Sequence, residues 1–408
     1  LPSALVPASE AGLSASDVGE WLVRQPLLPL VTYSYEWSFS MLRDAARLTL
    51  DVLDRCLARG FVLKDANAFN IVFEGTVPRL VDVHSIEPRA EGSLWAGYAQ
   101  FCRSFLFPLM LAAYRGLDPR PLLLAHLGEI PVDVVAPLFR LRDRLKPGVL
   151  VHVVVQNSLE RRFGSRAEEV GKAGATTMKY PVEGVRRQVR KLREVVDRLP
   201  LPGGDNWTSY TETHTYDREG VDAKESFVRA ALGRVSPATV LDLGTNTGQY
   251  ARLSRGLGAR VVAVDVSAAS IDALYRSVQG DTQLSPVVAD LTRPTPAIGW
   301  RLVERRGLLE RLRGDFVLAL AIIHHLRITG GIPLAEIVSL LTEVAPAGVI
   351  EWVGMDDPMV KRLLALRPNV YDDYTQASFE ALLSSRAGIT SKQPLLGGLR
   401  TLYAFQRS

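Results

Sequence analysis

Apolar positions recur at intervals of three and four between Ser38 and Arg59, through Met41, Leu42, Ala45, Leu48 and Val52. Charged residues fall between them. This spacing predicts an amphipathic helix, and Gly60 ends it. Two short strands are predicted next, Asn70–Phe73 and Arg79–Val83, around a Gly75–Pro78 turn. Helical periods dominate from Trp95 to about Arg144, and the β-branched run Val149–Val155 reads as a strand. Val185, Val189, Leu192 and Val196 then mark a second amphipathic helix, over Val185–Leu199. The Leu199-Pro-Leu-Pro-Gly-Gly204 stretch closes it.

Beyond residue 204 the pattern changes. Nearly continuous apolar runs at Ala238–Leu243, Arg260–Val264, Ser285–Val288, Asp315–Leu320 and Ala347–Val353 read as strands. Helical periods at Phe227–Leu232, Thr247–Leu257, Ser267–Ser277 and Leu334–Thr342 lie between them. Such alternation predicts a parallel sheet covered on both faces. The expected organisation is therefore a mainly helical domain over residues 1–162, a connector over 163–204 and an α/β domain over 205–408.

The 408 residues are 47% hydrophobic and 23% charged, as in an ordinary globular chain. Cys56 and Cys102 are too few for a disulfide framework or a Cys-rich zinc site. No apolar run reaches the roughly 18 residues of a membrane span. The first residues lack the basic start of a signal peptide, so a cytoplasmic protein without a membrane partner is expected. The chain starts at Leu1, as a fragment or trimmed product would. Its net charge is +4. Glu160–Arg198 alone holds eleven Lys/Arg against six Asp/Glu, so the excess is local. Nothing in this balance calls for nucleic acid. The 185–199 helix reads either as a solvated connector or as a docking surface for an acidic partner.

The strongest chemical signal is VLDLGTNTGQY, Val240–Tyr250. A buried strand ends in Asp242, Gly244 opens a tight turn, and Gly248 starts the next helix. Glycines let a ligand approach the backbone there. Asn246 stands where a dinucleotide fingerprint has its middle glycine, and Asn also accepts left-handed conformations. The next two strands end in Asp265 and Asp290. Carboxylates at those edges can accept from ribose hydroxyls and from an exocyclic amine, or simply cap the following helices. The fourth strand runs into Ala319-Leu-Ala-Ile-Ile-His324-His325-Leu. Either histidine can serve as a base near neutral pH, or only pack at the strand end.

LDLGTNTG, VAVD, VVAD and DFVLALAIIHHL resemble the class I S-adenosylmethionine-dependent methyltransferases, whose fold is Rossmann-like. The resemblance implies that Asp242, Gly244, Thr245, Asn246 and Gly248 hold the methionine moiety. Asp265 with Val266 would take the ribose, Asp290 with Leu291 the adenine, and Ala321 would lie beside the transferable methyl group. His324 and His325 are then the catalytic candidates. Acceptor-side candidates are Trp207, Tyr210, His214 and Tyr216 before the domain, as a lid or a packing strap. Trp300 in the long 293–313 segment, Glu351, and Tyr371–Tyr374 complete them.

In the first half, Asp65 and Asn70 are five apart and Asp82 ends the following strand. This looks like the catalytic loop of kinase-like and aminoglycoside-phosphotransferase-like folds, in which the Asn and the second Asp bind Mg²⁺. The helix from Ser38 sits where that fold has its long lower-lobe helix. Lys64 precedes Asp65, Asp-Val-His84 replaces Asp-Phe-Gly, and no Gly-rich phosphate loop is evident. The half therefore reads as a degenerate lower lobe serving as scaffold or substrate-binding module. Together the two halves are similar to a bacterial family of nodulation-protein-like methyltransferases. The implied activity is methyl transfer from S-adenosylmethionine to oxygen or nitrogen of a small molecule or biosynthetic intermediate. The alternatives are a phosphotransferase using Asp65, Asn70 and Asp82, and a non-catalytic cofactor-binding adaptor.

Overall fold

The computed structural model describes residues 1–14, 16, 19–158, 180–203, 218–365 and 371–407. A two-stranded ribbon, β1 (Ala4–Pro7) and β2 (Trp21–Arg24), precedes the first long helix. That helix, α1 (Phe39–Leu57), is capped by Ser38, whose hydroxyl accepts from the Met41 N–H. Met41, Ala45, Leu50, Leu53 and Leu57 form its buried stripe, as the periodicity predicts. Strands β3 (Phe61–Leu63), β4 (Ile71–Glu74), β5 (Val77–Leu80) and β6 (Ile86–Pro88) follow. They form two antiparallel pairs, β3 with β6 and β4 with β5.

Two expectations change in this half. Val149–Val155 is not a strand but a helical segment, beginning directly after the left-handed Gly148. Val149 and Val153 are fully buried in the same core as α2 (Phe107–Arg115). Packing overrides the β-preference of valine here. The basic helix, α3 (Val182–Arg198), does not hang between domains. Val185, Val189, Leu192 and Val196 are buried in the same core as α1. Arg186 pairs with Asp54 at 2.8 Å, Arg193 with Asp51, and Asp197 accepts from Arg47 at 2.7 Å. Part of its positive charge is thus matched by acids of this same chain. Residues 163–179 and 204 of the expected connector lie outside the described residues.

Helix α4 (Arg218–Val235) leads into the α/β half, longer than its predicted Phe227–Leu232 core. The order continues β7 (Thr239–Leu243), α5 (Gln249–Gly256), β8 (Arg260–Asp265), α6 (Ala268–Ser277), β9 (Leu284–Val288) and β10 (Phe316–Ala319). It ends with α7 (Leu334–Val344), β11 (Ala347–Val353), α8 (Gln376–Ser384), β12 (Gly388–Leu395) and β13 (Arg400–Gln406). One sheet holds seven strands in the order β12-β13-β11-β10-β7-β8-β9. The five strands β11, β10, β7, β8 and β9 run parallel, and β13 lies antiparallel to both β11 and β12. The sheet is therefore mixed, where a parallel one was expected. It has the Rossmann-like strand order expected from the sequence, with β7 beside both β8 and β10. The chain reverses direction between β7 and β10, and a ligand crevice lies outside the carboxyl ends at such a switch point.

The two halves share polar and apolar contacts. Ser40 donates from its backbone N–H (2.7 Å) and hydroxyl (3.0 Å) to Asp272 of α6. Tyr275 donates to Asp44 at 2.8 Å, and the Thr76 N–H donates to the Asp281 carbonyl at 2.8 Å. At Gly75 a Cβ would lie 2.2 Å from that carbonyl oxygen, so only glycine allows the turn to seat there. Segment 293–313, expected to shape an acceptor pocket, docks on the first half. Arg305 covers the Phe69 ring at 3.6 Å, and Arg311 pairs with the buried Glu36. Among the described residues no helix is long and apolar enough to cross a membrane. Cys56 and Cys102 are both buried, and neither is in a disulfide.

Candidate active site

Asp242 is buried near the carboxyl end of β7, where it accepts from the Thr245 hydroxyl at 2.6 Å. Burial pushes its carboxyl up to about 6, against the lowering pull of that hydrogen bond. Gly244 and Gly248 both have φ near +80°, and Asn246 has φ of 50°. Asparagine thus holds the left-handed position that the sequence pattern assigned to it. A Cβ at Gly248 would lie 2.4 Å from Leu274 Cδ1, so the helix start packs directly on α6. The Asn246 N–H donates to Asp265 Oδ2 at 2.8 Å, and the Ser267 N–H to Asp265 Oδ1 at 2.8 Å. Asp265 therefore straps the glycine turn to the end of β8. The cap of α6 is Ser267, not Asp265. Asn246 Oδ1 is buried with no hydrogen-bond partner among the described residues. A buried polar atom in that state is rare in folded proteins.

Val266 is exposed at the turn, and Leu291 is buried beside Asp290. Asp290 accepts from the Thr292 N–H (2.8 Å) and hydroxyl (2.6 Å), and more distantly from Arg293. Burial alone would raise its carboxyl, but these donors outweigh it and hold the group below its ordinary value.

The chain leaves β10 through Ala321, a non-glycine residue at φ of 54°. Strain of this kind concentrates at functional sites. The following residue, Ile322, faces Gly244, where a Cβ would lie 2.9 Å from Ile322 Cδ1. His324 is 1% exposed, and neither ring nitrogen has a hydrogen-bond partner among the described residues. His325 stacks against it with centroids 4.2 Å apart. Burial, the neighbouring ring and Arg400 hold His324 far below the usual imidazole range. Burial and Arg400 bring His325 down to about 4. Both rings are therefore neutral at pH 7. They are also weaker bases than the near-neutral imidazole expected from sequence, because proton affinity falls with the pKa.

The end of β11 carries a charge network that sequence reasoning did not assemble. Glu351 is fully buried between Lys224 of α4 (2.5 Å) and Arg400 of β13 (3.3 Å). Arg400 also pairs with buried Asp357 at 2.7 Å. The Lys224 ammonium lies 5.2 Å from the Tyr250 ring centroid. The Tyr374 hydroxyl donates to the Val353 carbonyl at 2.8 Å, and its ring stacks on Trp352. Of the acceptor-side candidates, Glu351 is in this network. Trp300 is 76% exposed at the tip of the 293–313 segment and away from burial. Trp207, Tyr210, His214 and Tyr216 lie outside the described residues.

The first-half motif is folded locally. Asp65 and Asn70 flank the loop between β3 and β4, and the Asn70 carbonyl accepts from the Val81 N–H at 2.9 Å. Asp82 caps the turn after β5 by accepting from the His84 N–H at 3.0 Å. Among the described residues no three His, Cys, Asp or Glu side chains converge for a metal ion.

No family model matches the chain. Nodulation protein NoeA of Rhizobium meliloti (strain 1021) is 34% identical to it over 395 residues, which is 95% of this chain and 82% of that protein. Solved structures of methyltransferases match about half of the chain. N-methyltransferase NodS from Bradyrhizobium japonicum WM9 is 11% identical, covering 47% of this chain and 98% of its own, with a TM-score of 0.35. Magnesium protoporphyrin IX methyltransferase from Synechocystis PCC 6803 is 18% identical over 47% of this chain and 85% of its own, with a TM-score of 0.34. The bifunctional kinase-methyltransferase WbdD is 16% identical over 48% of this chain and 41% of its own, also at 0.34.

Proposed function

The chain belongs to the family of nodulation protein NoeA, and we propose that it uses S-adenosylmethionine to methylate an oxygen or nitrogen of a small molecule or biosynthetic intermediate. The observation that carries this reading is the glycine turn at the switch point, strapped by Asp265 and holding an unpartnered Asn246 Oδ1. The donor set fits the cofactor. Asp242 and the backbone around Gly244, Thr245 and Gly248 would hold the methionine moiety. A carboxylate offers about four lone-pair sites, so Asp265 can hold the loop and accept from ribose hydroxyls together. Asp290 would accept from the adenine amine, with Val266 and Leu291 against the ring faces. When bound, the cofactor supplies a sulfonium methyl group open to direct displacement.

The protein's part is mostly alignment and exclusion of water. Neutral His325 can accept a hydrogen bond from the nucleophile and orient its lone pair at the strained Ala321 turn. Its pKa near 4 suits orientation better than full proton removal. His324, more deeply buried, packs beneath it. Glu351, fixed by Lys224 and Arg400, stays ionised and rigid at the end of β11, so the nucleophile's proton passes to solvent rather than to it. The first half serves as scaffold.

Isothermal titration tests the reading. S-adenosylmethionine is expected to bind at micromolar concentration, and Asp265→Ala to abolish the heat. Normal binding by Asp265→Ala overturns the site assignment. Mg-ATP binding lost in Asp82→Ala would favour phosphotransfer in the first half instead. Binding of neither ligand would leave an adaptor.

A further inference from the structure

Residues 140–155 take no part in the glycine-turn site. Leu141–Leu145 form one tight helical turn, and the helical segment Val149–Val155 follows it. Gly148 reverses the chain between them. A Cβ there would lie 2.5 Å from Met110 and 2.9 Å from Val195 of α3, so the reversal is seated on the core. Val149 and Val153 are buried in that core. The opposite face of the same segment is apolar as well, with Leu150, Val151 and Val155 about half exposed. Leu141 is 75% exposed and Leu145 92%. A helix apolar on all sides is normally covered. Five large apolar side chains left open within fifteen residues mark an interaction surface.

Charge is sorted across the same stretch. Arg140, Arg142, Arg144 and Lys146 are exposed, and none makes an ion pair among the described residues. Asp143, the one acid among them in sequence, is turned inward. It accepts from the Arg140 N–H at 2.7 Å and pairs with Arg115 at 3.4 Å. The outer side is therefore cationic, while the acid is matched underneath.

We infer that this face seats the first half on an anionic lipid bilayer, with the leucines and valines at the acyl boundary and the four cations among the headgroups. An apolar face edged by Lys and Arg binds such a surface through buried area and attraction to anionic lipid. A protein partner fits less well. The centre of a protein interface is poor in charge and rich in aromatic rings, and no Phe, Trp or Tyr lies between Arg140 and Val155. A search for membrane spans does not see such a face, because it lies on the bilayer rather than crosses it. The inference is independent of the methyl-transfer reading.

Flotation of the full chain with vesicles tests it. Vesicles of phosphatidylcholine and phosphatidylglycerol in equal parts are expected to bind the chain, and phosphatidylcholine alone to bind it at least about tenfold more weakly. Each cation near such a surface is worth about fivefold, so Arg142→Gln with Arg144→Gln should weaken binding about 25-fold. Leu141→Ser with Leu145→Ser keeps the charge and should weaken it at least about tenfold. Far-UV circular dichroism identifies a variant that has failed to fold, and the other pair then decides. The proposal is overturned if the unmodified chain does not float with the anionic vesicles, or if a folded variant pair floats as well as the unmodified chain. Polyglutamate that competes with the vesicles and binds the leucine variant undiminished would give the face to an acidic protein instead. A dimer at sedimentation equilibrium that the leucine variant dissolves would give it to a second copy of the chain.

Discussion

The Glu36–Arg311 pair joins the two halves, and its removal has a calculable consequence. Glu36 has no exposed side-chain surface, and Arg311 has 8%. Glu36 also accepts from the Thr295 hydroxyl at 2.6 Å and the Tyr33 N–H at 3.1 Å. The Arg311 guanidinium lies 4.8 Å from the Tyr33 ring centroid and donates to the Val31 carbonyl. Glu36→Gln keeps the shape but leaves a buried cation facing a neutral amide. Removing one partner of a buried pair typically costs about 3–5 kcal/mol. The amide retains part of the hydrogen bonding, so about 3 kcal/mol is expected here. Arg311→Met leaves the carboxylate unpaired and should cost a similar amount. The double variant removes both charges and should cost less than the sum by about 1–3 kcal/mol. Urea titration gives the free energies. Hydrogen exchange read on peptides from both halves shows whether they lose protection together, as expected from the shared core of Tyr275 and Ile298. A cost for Glu36→Gln below about 1 kcal/mol, or strictly additive singles, would refute the coupling argument.

Three further outcomes follow from the site. Gly248→Ala combines a left-handed backbone with a Cβ 2.4 Å from Leu274. It should cost about 2–4 kcal/mol in urea unfolding and weaken S-adenosylhomocysteine binding in titration. Asp242 is raised from 3.8 to about 6 on folding, so its proton stabilises the folded chain at low pH. That contribution is lost as pH rises from about 4 through 6, worth about 3 kcal/mol. The stability difference between the unmodified chain and Asp242→Asn, measured from pH 4 to 7.5, should fall by that order and then level off. His325 acts in the opposite sense, because its folded value near 4 lies below the unfolded 6.5. Its neutral form supports the fold above pH 6.5, and that support fades as pH falls towards 4, again by about 3 kcal/mol. His325→Asn should flatten this acid limb, and an unchanged limb would place the titration elsewhere.

What the sequence disclosed depended on how local each signal was. Strands β7 to β11 are buried parallel strands, so each is an apolar run visible in a short window. The carboxyl ends of such strands meet at one edge, so the positions of Asp242, Asp265 and Asp290 could be read before any coordinates. The antiparallel β12–β13 hairpin was not legible. β12 is an edge strand alternating exposed and half-buried residues, and its sequence GITSKQPL carries little apolar signal. Val149–Val155 shows the reverse failure, a strong strand-like composition overruled by a helical core. The ion network was hidden for a different reason. Lys224, Glu351, Asp357 and Arg400 come from separate elements, and only the fold brings them together. One clue was present, since a glutamate inside AGVIEWV can be buried charged only with a cation beside it.

The same distinction explains the first half. Its long helix and the β4–β5 hairpin were readable, but its role was not, because that role lies in long-range contacts. Ser40 holds Asp272, Asp44 holds Tyr275, and the Gly75–Thr76 turn sits on the carbonyl of Asp281. Asp272 and Tyr275 lie on α6, and Asp281 follows that helix. α6 is also the helix on which Gly248 packs, and it begins just after the Asp265 turn. A first half fastened in this way to the helix behind the glycine turn is placed to brace that turn. Loosening Ser40 or Gly75 should therefore weaken ligand binding at Asp265 without any change in the residues that touch the ligand.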